Sequence, residues 1–109
     1  MESGELSDEE FKENLQWLRK NISQPIVFIN GAEIPEAEDM DIENIFDRYC
    51  LFNKILDEFV ANNKNTYLLD VRKFVKKRED YTNSIRHYTR PIYNMLAEEF
   101  ENILKDIFP

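Results

Sequence analysis

PIVFI at residues 25–29 and TYLLDV at residues 66–71 are two short apolar runs whose pairing decides the fold. Each is nearly continuous in its apolar character, which suits a strand covered on both faces, as in a parallel sheet. Asn30-Gly31 closes the first run, and ANNKN at residues 61–65 breaks the chain before the second. A helical pattern lies between them. Strand, helix and strand then form a βαβ unit, which crosses over right-handed and sets its strands parallel.

Helical periodicity organises the rest. Ser7 with Glu10 forms a capping box, and Leu6 is placed to staple onto Phe11. Phe11, Leu15, Leu18 and Ile22 give one apolar face, and Ser23 and Pro25 stop the helix. Residues 31–41, GAEIPEAEDMD, read as an acidic loop without periodicity. From Ile42 the stripe of Ile45, Tyr49, Phe52, Leu56 and Phe59, widened by Phe46, Ile55 and Val60, predicts a helix packed against a sheet and a neighbour. A last helix begins near Arg90-Pro91, with Ile92, Leu96, Phe100, Ile103 and Ile107 facing inward. The fold class is α/β, in the order α-β-α-β-α with two parallel strands. Such a sheet has two open edges, so the chain is expected to complete it with a partner copy, with a complementing chain, or as part of a larger domain.

At 109 residues the chain forms a single domain, with residues 1–6 expected to be a flexible acidic terminus. That terminus has no apolar h-region, and no apolar run approaches the ~20 residues of a membrane span. A lone cysteine, Cys50, suits a reducing compartment, so the expected location is cytoplasmic. It lies in an apolar helix and reads as a small buried residue. The net charge of −8 argues against nucleic acid as a partner. Charge is unevenly spread: residues 1–47 carry thirteen acids against three bases, whereas residues 72–90 carry seven bases against two acids. That basic segment is either a solvated loop pairing with the acidic remainder or an anion site.

Sites in open α/β sheets form beyond the carboxyl ends of the strands. Here those ends lead into Asn30-Gly31-Ala32-Glu33 and into the basic segment holding His87, the only histidine. Topology therefore puts His87, Glu33 and several arginines on one edge, where a histidine beside a carboxylate can act as a general base. Glu33, Glu36, Glu38, Asp39 and Asp41 are oxygen donors without EF-hand spacing and read as a solvated loop, so no metal and no cofactor is expected. Tyr81, Tyr88 and Tyr93 interleave with Arg86 and Arg90, a mixture able to bind a sugar or an anion.

The segments PIVFINGAEIP, DRYCLFNKILDEFVANNKNTYLLDVRKFV and DYTNSIRHYTRPIYNMLAEEF resemble the C-terminal half of SGNH (GDSL-like) hydrolases. More particularly, they are similar to hydrolase-like domains among bacterial polysaccharide-associated proteins. The resemblance spans residues 7–104. It implies a partial flavodoxin-like α/β/α sandwich, which in the family holds about five parallel strands. It also implies acyl-ester chemistry by a serine near the first strand and an Asp-x-x-His pair after the last. His87 matches the family histidine, the base for the serine. The position of the family aspartate holds Ser84, and Asp80 is the nearest upstream acid. No Gly-Asp-Ser or oxyanion-hole block occurs in the chain, and Ser3 has no strand before it. The implied function is thus the histidine-bearing portion of an ester or acyl hydrolase, inactive alone. Arg86, Arg90 and Glu33 would contact an anionic or carbohydrate ester, and His87 with Asp80 would form the catalytic pair. Two other classes fit the same residues: a non-catalytic module that oligomerises through its open sheet edge, and an anion-binding protein using the basic loop.

Overall fold

A computed structural model describes residues 7–40 and 44–109. Ser7 opens helix α1 (Asp8–Asn21): its Oγ accepts the Glu10 N–H at 3.1 Å, while Glu10 Oε1 accepts the Ser7 N–H at 3.0 Å. Both orphan donors are satisfied at once. The staple expected from Leu6, the acidic terminus and the helix start at Ile42 lie outside the described residues. At the other end of α1, Arg19 donates to the carbonyls of Ile22, Gln24, Lys64 and Asn65, tying the helix to the turn that precedes the second strand. Asn65 takes a left-handed φ of 65° in that turn, a conformation asparagine tolerates.

Strands β1 (Ile26–Ile29) and β2 (Thr66–Leu69) pair in parallel, with Ile26 opposite Thr66 and Ile29 opposite Leu69. Pro25 has no N–H to donate, and β1 starts after it. The expected second strand is shorter than its apolar run: Asp70 Oδ1 accepts the Arg72 N–H at 3.1 Å and turns the chain into a 3₁₀ turn over Val71–Lys73. Side-chain alternation sends Phe28 and Leu68 to one face and Val27, Tyr67 and Leu69 to the other. On the first face α1 and α2 (Ile45–Asn62) close a small core of Leu15, Ile55, Leu56 and Phe59. On the second, α3 (Arg90–Ile107) covers β2 through Ile92, Leu96 and Ile103. The order α-β-α-β-α with a two-stranded parallel sheet is therefore the architecture.

Three local expectations are corrected. Residues 31–40 are no mere solvated loop, because Ala32, Ile34, Ala37 and Met40 are buried in the larger core. Turns from Ile34 to Ala37 and from Ala37 to Met40 space these apolar side chains inward without helical or strand periodicity. β1 is covered on both faces only as far as Phe28: Ile29 is 65 % exposed, because α3 packs over β2. Phe100 leaves the inner face of α3 and is 39 % exposed, since Leu96 and Ile103 already fill the row against the sheet. The chain is also flat, with extents of 39 × 38 × 18 Å and a radius of gyration of 15.0 Å. A compact domain of this length has a radius near 13 Å.

Candidate functional site

The carboxyl ends of the two strands are joined by side chains. Asn30 is buried; its Nδ2 donates to Asp70 Oδ1 at 2.8 Å and its Oδ1 accepts the Val71 N–H at 2.7 Å. One asparagine thus fixes where both strands stop. Asp70 then holds Arg72 through Nε at 2.8 Å, and the same guanidinium reaches Asp57 Oδ1 at 2.8 Å and Glu33 Oε2 at 3.4 Å. Asn53 on α2 completes the network, donating to Gly31 O and Glu33 Oε2, both at 2.8 Å, and accepting the Gly31 N–H at 3.2 Å. Burial pushes the Asp70 carboxyl up, but hydrogen bonds from Arg72 and Asn30 outweigh it and leave the group below its ordinary value. The same bonds, to Asp70 and then Asp57, raise Arg72. Cys50, half-buried early in α2, is pushed up by burial and then by Glu33, so it is no ready thiolate.

The histidine loop is built by closing residues 80–89 on themselves. Tyr81 pairs with Tyr88 in an antiparallel bridge, Thr82 N–H donates to His87 O at 2.7 Å, and Thr89 N–H donates to Asp80 O at 3.0 Å. Tyr81 and Ile85 are buried and anchor the loop to the core. Outside, Arg78 lies over the Tyr81 ring and pairs with Glu38 at 3.3 Å. His87 itself is exposed, and its Nδ1 lies 3.1 Å from Ser84 Oγ. Ser84 Oγ also accepts the Arg86 N–H at 3.2 Å.

Between this loop, the end of β1 and α2 lies a cleft of about 360 Å³. Tyr49, Phe52 and Asn53 form one wall, Ile85, Arg86 and Tyr88 the other, and Asn30 and Gly31 the floor. Its size and mixed lining are those of a small-ligand site. Tyr88 is raised by burial, then by Tyr93 and Tyr49, so it stays a neutral hydrogen-bonding phenol. Among the described residues no group of three or more His, Cys, Asp or Glu is arranged to hold a metal ion.

The residues singled out by sequence are distributed unevenly around this cleft. Arg86 lines it. His87 is the next residue in the loop, on the exposed side. Glu33 joins the Arg72 network rather than His87. The Asp80 carboxylate accepts the N–H groups of Lys76 and Lys77, at 2.8 and 3.1 Å, while the imidazole turns to Ser84. Arg90 is exposed in the first turn of α3. Within residues 72–90, Arg72, Lys73 (with Glu99) and Arg78 pair with acids, as a loop balancing an acidic remainder would. Sequence reasoning passed over Asn53 and the Arg72 hub. Asn53 had a signal, a polar residue four positions after Tyr49 and three before Leu56 on an apolar stripe. No family model matches this chain, and no curated protein or solved structure matches it. Among the described residues, no helix is long and apolar enough to cross a membrane.

Proposed function

We propose that this chain carries the general-base histidine of an SGNH-type acyl-ester hydrolase, with the nucleophilic serine and oxyanion donors supplied by a complementing polypeptide. One observation carries the reading: Ser84, three residues before His87, contacts its Nδ1 at 3.1 Å. That is the reach an aspartate needs in an Asp-x-x-His pair, obtained in a loop beyond the carboxyl end of a parallel strand. No hydrogen bond to Nε2 is found among the described residues, which leaves that nitrogen open to a hydroxyl from outside. Ser84 is the positioning residue in this reading, and Asp80 shapes the loop.

The aromatic cleft with Arg86 on its wall suits the acyl or sugar portion of an anionic ester. Ser84 does not serve as the nucleophile in this reading, because its Oγ is engaged by His87 Nδ1 and by the Arg86 N–H. The reading places the protein in a reducing, cytoplasmic setting, consistent with its single cysteine. A fluorophosphonate probe tests it on the protein isolated with its native partners. Labelling should fall on a serine of a co-purifying chain and disappear in His87→Ala. Absence of any labelled serine, or labelling indifferent to His87→Ala, refutes the assignment.

A further inference from the structure

We infer that two copies of this chain pair through α3, antiparallel, with Ala97 at the crossing. The surface concerned is a groove of about 390 Å³ between α3 and the strand ends, its walls almost wholly apolar. Ile29, Leu69 and Tyr88 form one side and Tyr93, Ala97 and Phe100 the other. Tyr93 is 49 % exposed, and with Ala97, Phe100 and Leu104 it recurs at i, i+4, i+7 and i+11. That spacing draws a second apolar stripe beside the one already buried on the sheet. Ala97, small and central, lets another helix approach closely.

Charge identifies the occupant. Arg90 and Glu101 are eleven residues apart, three helical turns, and so lie on the same flank of the stripe. In an antiparallel pair related by a two-fold axis, like flanks face each other, so Arg90 of each copy meets Glu101 of the other. With Ala97 on the axis the two are offset by about 4.5 Å along the helix, within an arginine's reach. An unrelated apolar helix would satisfy the groove but not this doubled, self-complementary pairing. The flatness of the chain, with its radius of gyration of 15.0 Å, agrees with a surface that continues into a second copy. The pairing uses the face of the sheet and leaves the outer hydrogen-bonding edge of β1 free. It shares Ile29 and Tyr88 with the cleft, but its test reads chain mass and not activity, so its failure is distinguishable from that of the hydrolase reading.

Light scattering across a concentration series tests it. Wild type should reach twice the chain mass. Arg90→Glu and Glu101→Arg should each weaken association about tenfold, and the two together should restore it. Ala97→Arg should give a monomer with unchanged circular dichroism and a thermal unfolding that no longer depends on protein concentration. A wild type that stays monomeric, a dimer indifferent to these changes, or association only with a different polypeptide overturns the inference.

Discussion

Ser84 Oγ and His87 Nδ1 lie 3.1 Å apart in a loop closed by backbone hydrogen bonds and by the Thr82 hydroxyl, which donates to His87 O at 3.0 Å. A hydroxyl can either accept from Nδ1–H, leaving Nε2 basic, or donate to Nδ1 and move the ring proton to Nε2. Ser84 already accepts from Arg86 N–H and has a lone pair left, so it permits both arrangements. An aspartate permits only the first. Ser84→Asp should therefore drive the neutral ring to the Nδ1–H tautomer. The ¹⁵N shifts of the two ring nitrogens read this directly. Shifts equal to those of wild type would mean that residue 84 does not orient the imidazole.

Arg72 bonds to Asp70 and Asp57 and pairs with Glu33, carboxylates drawn from three different segments of the fold. Removing the guanidinium leaves three carboxylates together. The side chain is 26 % exposed, so water relieves part of the repulsion. Arg72→Leu should then cost about 2 kcal/mol, below the 3–5 kcal/mol of a fully buried broken pair. Arg72→Lys should recover only part, because an ammonium lacks the planar fork that reaches several carboxylates together. Urea denaturation at neutral pH measures both. A loss under about 0.5 kcal/mol for the leucine variant would reduce the network to solvated surface charge.

Asp70 gives the network a pH signature. Its folded value is depressed below the ordinary 3.8, so the folded state binds this proton less readily than the unfolded chain. The stabilisation is fully present above the unfolded value and is lost as pH falls through the folded one. Stability should be flat with respect to this group from about pH 5 upward and decline below about pH 4. Asp70→Asn should be less stable at neutral pH and should show a shallower acid decline. Equal slopes in the two proteins between pH 5 and 3 would contradict the assignment.

The elements most legible in the sequence were those whose signal is local. Ser7 and Glu10 announce a helix start by chemistry that acts over one turn, and Ile92, Leu96 and Ile103 mark the buried row of α3 by spacing alone. Strand pairing was legible too, because two short apolar runs on either side of one helix leave few arrangements. What escaped depends on contacts distant in sequence. Asn30 meets Asp70 across forty residues, and Arg72 meets Asp57 across fifteen. Ala32 and Ala37 are buried by turns that no periodicity reports. Phe100 fits the inner row by spacing, and only the position of α3 over β2 shows that it faces a groove. His87 contacts Ser84, three residues before it, and the Asp80 carboxylate expected beside it turns instead to the N–H groups of Lys76 and Lys77.

Ile85 ties the chemistry of the loop to the stability of the core. It is 2 % exposed, lies two residues before His87, and also lines the cleft beside Arg86. Truncation to alanine removes buried methylenes and leaves a cavity under the loop, at a cost of about 2–4 kcal/mol. The hydrogen bonds that close residues 80–89 are surface bonds and cannot by themselves hold the ring in place, so the loss should appear first as local opening. Amide exchange in Ile85→Ala should accelerate more at Thr82 and His87, whose N–H groups close the loop, than at Phe28 or Leu68 in the sheet. The Ser84–His87 contact should weaken together with that opening. Uniform acceleration across loop and sheet would instead make Ile85 a general core residue, with no special part in presenting the histidine.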